Sequence, residues 1–319
     1  MFGIIGTTTA DLFIAGAEFM PVCDGDEFTA SSLAFCDQPL TITLGGNGAN
    51  TAYVLARLGA PAMLCSVTGT NPIGALVAGW LREGRVDLRG LCQPDDAATA
   101  TTTSILDSQH NRLSFYYPGR FPTFSPQDLP RALWTDAHTL LITGYALLPG
   151  FREGGFLAVF TRARELGLRT ALDIGPAIRA PATLEELLPL LPLVDYLLSN
   201  RYEASIATGE SDPIAACQQL REAGARTVII KLGTAGAFVA SPEFTGHVPG
   251  YPVQARITIG AGDSFNAGLL FALEAGMPLP DAVRYANATA ALVVQTGKSA
   301  LGAPSDADVQ RFMTEKERA

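Results

Sequence analysis

The chain reads as an α/β protein whose mostly parallel sheet is covered by helices on both faces. Three observations predict this. Short β-branched runs alternate with helical patterns from residue 45 onward, the signature of successive βαβ units. The runs are apolar nearly throughout instead of alternately polar, as strands buried on both sides must be. Glycines such as Gly59 and Gly276 stand where helical patterns stop.

In order, the pattern predicts a helix over Asn47–Leu58, a strand at Ala62–Val67 and a helix over Ile73–Glu83. A strand at His138–Thr143, a helix over Phe151–Leu166 and a strand at Arg169–Asp173 follow. Strand Tyr196–Ser199, helices around Glu203 and over Ile214–Glu222, and strand Thr227–Leu232 complete the series. The order of strands within the sheet is not encoded in this pattern. Two segments break the rhythm: Leu12–Leu44 and Ala97–Pro118 lack helical periodicity and are rich in Thr, Ser, Phe and Tyr. The second reads as a hairpin turning at Ser108–Asn111. Both are expected to form a small β subdomain, a natural lid over an α/β sheet; extra edge strands on the main sheet are the alternative.

Composition removes several function classes. A 48% hydrophobic and 17% charged chain of 319 residues buries a sizeable core and is not disordered. Twenty-two Lys and Arg against 31 Asp and Glu leave a net charge of −9, which disfavours nucleic acid and anionic membranes as partners. Five scattered cysteines without a CxxC pair read as reduced thiols, and three widely separated histidines give little support to a histidine metal site. No apolar run reaches the length of a membrane helix, and the N-terminus has no basic leader pattern. A soluble, cytoplasmic protein is expected.

Glycine is over-represented, with 32 residues, and its clusters mark candidate ligand loops. The strongest is Thr258-Ile259-Gly260-Ala261-Gly262-Asp263, which opens an apolar helix. Small residues at a helix start leave backbone N–H groups free, an anion hole suited to phosphate. Asp263 there admits two readings, an N-cap or a general base beside the hole. A second cluster, Gly45-Gly46-Asn47-Gly48-Ala49-Asn50, sets Asn47 and Asn50 beside bare backbone, a combination suited to polyol hydroxyls. A third, Lys231-Leu232-Gly233-Thr234-Ala235-Gly236, follows a strand, where α/β sheets place ligand loops; a plain hairpin turn is its alternative. Gly297-Lys298-Ser299 is no P-loop, since Leu292 stands where the motif needs glycine.

Together these residues resemble the ribokinase-like (PfkB) carbohydrate kinase family. Gly46, Gly48, Asn50, Ala52, Gly59 and Gly69 fall at the spacing of its N-terminal signature, and Thr258–Asp263 with Ala267 and Gly268 on its C-terminal one. Between them, Asn200-Arg201-Tyr202-Glu203 looks like its NxxE motif. The three occur in family order over nearly the whole chain.

The resemblance implies a ribokinase-like three-layer α/β/α fold in a single domain over 1–319, with a lid from about 12–44 and 97–118. It implies transfer of the ATP γ-phosphate to a hydroxyl of a small sugar, with Asp263 as base and Gly260, Ala261 and Gly262 as anion hole. Asp11, Gly46, Asn47 and Asn50 would bind the acceptor. Lys231, Gly233, Gly236 and Asn287 would border the nucleotide, and Asn200 and Glu203 would organise Mg²⁺ through water. Nucleoside kinases of the same fold are a rival, with Phe13, Phe115 or Tyr117 stacking on a base; a non-catalytic sugar-binding regulatory relative is another. A homodimer through the lid is compatible with the resemblance, though no residue here demonstrates it. Two departures stand out. Ile257 replaces the usual acidic residue before Thr258, which puts K⁺ activation in doubt. The stretch Asp173–Arg179 only partly matches the family's DPNxR, leaving Arg179 without an assigned role.

Overall fold

The computed structural model describes all residues except 24, 96, 108–111 and 319, so the turn expected at Ser108–Asn111 lies outside the described residues. The chain runs β1 (Phe2–Ile5), β2 (Thr9–Ala17), β3 (Thr41–Gly45), α1 (Asn47–Leu58), β4 (Ala62–Val67), α2 (Pro72–Glu83) and β5 (Leu91–Cys92). It continues with β6 (Thr101–Asp107), β7 (Arg112–Tyr117), α3 (Arg131–Asp136), β8 (Thr139–Thr143), α4 (Gly155–Glu165), β9 (Arg169–Asp173) and α5 (Leu184–Leu187). Next come β10 (Tyr196–Asn200), α6 (Arg201–Thr208), α7 (Pro213–Glu222), β11 (Thr227–Lys231), β12 (Ala237–Ala240) and β13 (Thr245–Val248). Helices α8 (Ala261–Glu274), α9 (Leu279–Thr296) and α10 (Asp306–Glu317) end it.

A nine-stranded sheet has the order β13-β12-β11-β10-β9-β8-β1-β4-β5. Its members from β11 to β5 are parallel, and only the β11–β12 and β12–β13 pairs are antiparallel. Alternate strand residues feed two separate cores, because successive side chains in a strand point to opposite faces. Ile4, Leu64, Leu141, Leu198 and Ile229 pack with α1, α2, α8, α9 and α10. Ile5, Met63, Ile142, Leu197 and Ile230 pack with α3 to α7 on the other face. The result is the three-layer architecture that the apolar strand runs require.

The two irregular segments do not extend this sheet. Their strands form a separate four-stranded sheet of order β3-β2-β6-β7, in which β2 and β6 are parallel and the other pairs antiparallel. One expected helix differs at its start. Residues Pro149–Phe151 form a single 3₁₀ turn and α4 begins only at Gly155, since successive glycines at 154 and 155 hold a first helical turn poorly. All five cysteines are unpaired thiols. Among the described residues no helix is long and apolar enough to cross a membrane.

Candidate active site

The carboxyl ends of parallel strands converge on one edge of the large sheet, where open α/β sheets bind ligands. Thr7 follows β1, Thr143 and Asp173 end β8 and β9, and Asn200 and Lys231 end β10 and β11. The second sheet stands over this edge, and a cavity of about 590 Å³ lies between them. Its lining includes Asp11, Gly46, Asn47, Asn50, Asn200, Glu203, Lys231, Gly233, Gly260, Gly262 and Asp263. Five separate stretches of sequence thus meet in one chamber.

Helix α8 starts at Ala261 with Gly260 as N-cap at φ +79°, a left-handed conformation that glycine adopts without steric cost. Asp263 is therefore not the cap. Its buried carboxylate turns to α1 instead: Asn50 Nδ2 donates to Oδ2 at 2.8 Å and Asn47 Nδ2 donates to Oδ1 at 3.3 Å. Ala261 N–H donates to the Thr258 carbonyl at 3.3 Å. Among the described residues, the N–H groups of Gly260, Gly262 and Asp263 have no acceptor while that of Ala261 is engaged, so three free donors gather at the start of α8, a geometry suited to an anion. At the start of α1, Gly46 is N-cap at φ +87° and lies against the Thr7 carbonyl, where a Cβ would overlap backbone. That contact brings Asn47 and Asn50 to Asp263. Asn50 Oδ1 is buried without a partner, and a buried free acceptor beside a cavity is suited to a ligand hydroxyl.

Lys231 is the cation of the site. Its Nζ donates to Asp173 Oδ1 at 2.8 Å and to Asn266 Oδ1 at 3.1 Å, while Thr143 Oγ1 donates to Asp173 Oδ2 at 2.9 Å. Burial alone would lower the Lys231 pKa, but the Asp173 and Glu203 carboxylates outweigh it and raise it. Three carboxylates share this one ammonium. Burial pushes Asp263 up to about 7, with Asp173 adding and the Asn50 hydrogen bond and Lys231 opposing. Glu203 also rises to about 7, through burial and then Asp173. Asn200 and Glu203 form a reciprocal capping box at the start of α6: Asn200 N–H donates to Glu203 Oε2 at 2.7 Å, and Glu203 N–H to Asn200 Oδ1 at 2.8 Å. Among the described residues no three His, Cys, Asp or Glu side chains form a ready metal cage.

The second sheet presents a polar row to the chamber. Register places Asp11 beside Thr102 and Thr102 beside Tyr116, across β2, β6 and β7. Asp11 Oδ1 accepts from Thr9 Oγ1 at 2.8 Å. Phe13, 5% exposed, faces the cavity, whereas Phe115 is 59% exposed and Tyr117 51% on the outer side. The alternation of a strand means that Phe115 and Tyr117 cannot stack on a ligand here; on β7 the aromatic that faces the chamber is Tyr116.

A second cavity of about 240 Å³ lies on the other side of Lys231. It is apolar, walled by Tyr251, Val253, Phe265, Ala290 and Val294 and floored by Gly233 and Gly236. The β11–β12 connection is a hairpin turn that also lines this cavity, so being a turn does not remove Lys231–Gly236 from the candidate site. Asn287 lines this cavity, but its Nδ2 donates to the Pro249 carbonyl at 3.1 Å. It holds the Val248–Gly250 wall in place. Lys231, Gly233 and Gly262 line both cavities. An apolar slot and a polar chamber thus meet at a cation and a helix start, an arrangement that can hold a flat heterocycle, a phosphate chain and a polyol in sequence.

Apart from Phe115 and Tyr117, every site residue named from the sequence lies in or against these two cavities. Asp173, Thr102, Tyr116, Leu147 and Asn266 were not assigned a role. Asp173 carried a readable signal, as a charge ending an otherwise apolar strand; Tyr116 carried none, because strand parity is invisible without the register.

A family model described as "pfkB family carbohydrate kinase" matches residues 22–306. Ribokinase of Mus musculus is 30% identical over 264 residues, 80% of this chain and 79% of that protein. Nucleoside kinase of Methanothermobacter thermautotrophicus is 28% identical over 292 residues, 90% of each chain. The solved structure of Arabidopsis thaliana ribokinase with ribose and ATP superposes with a TM-score of 0.83 over 98% of both chains at 22% identity, which establishes the fold.

Proposed function

Because the chain belongs to the pfkB family of carbohydrate kinases, we propose that it transfers the terminal phosphoryl group of ATP to a hydroxyl of a small sugar, with Asp263 as general base. The observation that carries this is the shared wall of the two chambers. The apolar slot suits adenine, the free N–H groups at the start of α8 suit phosphate, and the polar chamber suits a polyol. Asp263 sits on the polyol side of that junction and is absent from the lining of the apolar slot.

An acceptor hydroxyl within reach of Asp263 gives its proton to that carboxylate while its oxygen adds to phosphorus, and the phosphorus–oxygen bond to ADP breaks. Asn47 and Asn50 hold the carboxylate in position. Backbone N–H groups of Gly262 and Asp263, with Lys231, offset charge on the phosphoryl group. The small sheet acts as a lid that excludes competing water. Three carboxylates around one ammonium leave a negative surplus, which fits a divalent cation that Asn200 and Glu203 would hold through water. Bound Mg²⁺ would supply charge neutralisation at the β- and γ-phosphates.

Release of ADP from Mg-ATP across a panel of pentoses, hexoses and nucleosides tests this function. Acceptor-dependent release with at least one sugar is expected; release with no polyol would contradict it. The Ile257 side chain offers no oxygen ligand, so rates with K⁺ and with tetramethylammonium are expected to be equal. A several-fold stimulation by K⁺ would overturn that expectation.

A further inference from the structure

A third cavity of about 170 Å³ adjoins the polar chamber, sharing Tyr116, Leu147 and Ile178 with it. We infer that this annex seats an anionic substituent of the acceptor, a carboxylate or a phosphate, recognised by Arg179 and the Tyr116 hydroxyl. The inference rests on the kinase reading above and narrows its substrate from small sugars to sugar acids or sugar phosphates.

Four observations support it. The annex contains two arginines, Arg152 and Arg179, and no acidic residue in its lining. Arg152 is committed: its guanidinium holds Glu186 through Nε at 3.1 Å and Nη2 at 2.6 Å, and also donates to the Ala180 and Pro181 carbonyls. Arg179 has no hydrogen bond or ion pair among the described residues and stands at φ +54°. A non-glycine residue in the left-handed region is strained, and such strain concentrates at ligand sites. Arg152 pins the two carbonyls that follow Arg179, which fixes the loop in that conformation. Finally, the Tyr116 hydroxyl is buried with no partner and lines both chamber and annex.

Charge supports the same assignment. Burial and then the Asp11 carboxylate push the Tyr116 phenol up to about 12, against the pull of Arg179, so it stays a hydrogen-bond donor at working pH. Asp11 lines the main chamber and not the annex. Hydroxyls would face Asp11, and the anionic end would face Arg179.

The test uses matched acceptors: ribose, ribonate and ribose 5-phosphate, and glucose, gluconate and glucose 6-phosphate. Binding is read by calorimetry without ATP, and kcat/KM with Mg-ATP. Wild type is expected to prefer the acid or the phosphate over its neutral counterpart, and the two anionic arms identify which. Arg179→Ala is expected to cut that preference about 10- to 100-fold through KM, the scale of a lost charge-assisted hydrogen bond. Arg179→Lys should recover part of it. Selective anion binding without turnover would support the annex and defeat the kinase reading. Turnover that favours neutral sugars, or a parallel loss for neutral and anionic acceptors in Arg179→Ala, would overturn the annex and leave the kinase standing.

Discussion

Replacing Asp263 by Asn is expected to cut turnover by about 10²- to 10⁴-fold, the range for a lost general base, while ATP affinity stays near the wild-type value. The apolar slot is lined without Asp263, so nucleotide binding should not register the change. Unfolding is not expected to supply the loss. The folded-state pKa of Asp263 is raised to about 7, so its contribution to stability is fully present below the ordinary carboxylate range and is lost as pH rises through about 7. An amide removes that penalty above neutrality, although it loses one acceptor for Asn47 or Asn50. Turnover from steady-state ADP release and ATP affinity from calorimetry decide the matter. Near-normal turnover would remove Asp263 from the base role.

Lys231→Met is expected to damage both stability and catalysis. Asp173 and Lys231 side chains are 3% and 12% exposed, and removing one partner of a buried pair leaves an uncompensated charge, at a cost of about 3–5 kcal/mol. Chemical denaturation should therefore show a large loss at neutral pH. The double variant Lys231→Met with Asp173→Asn should regain much of that stability but not turnover, because the cation beside the α8 N-terminus is still missing. Recovery of turnover along with stability would show that Lys231 only holds the fold.

The layers of the fold were legible because continuous apolar runs have one structural use, burial on both faces of a sheet. Helix α1 was predicted to the residue, Asn47–Leu58, since Gly59 closes it unambiguously. The strand order and the register of the second sheet were not legible. Both depend on pairings between residues far apart in sequence, such as Asp11 with Thr102 and Thr102 with Tyr116. That is why Phe115 and Tyr117 looked available to a ligand and Tyr116 did not. Glycine-rich helix starts point to the candidate anion site and to Asp263, but capping alone also accounts for an aspartate there. Only the position of Gly260 as N-cap and the two Asn donors to the carboxylate separate the readings. Arg179 was unassignable for a related reason: its neighbourhood is made by loops from β7, β8 and β9 that meet only in the fold.

The pH dependence of kcat/KM for the acceptor addresses the role of Asp263 most directly. A general base must be ionised, so the rate should fall as pH drops below the folded-state value of Asp263, about 7. Glu203 titrates in the same region, and Glu203→Gln separates the two. A limb near pH 7 that persists in Glu203→Gln, with a lower plateau, is the predicted result. A flat profile between about pH 5.5 and 8, or a limb that disappears with Glu203, would contradict Asp263 as the base.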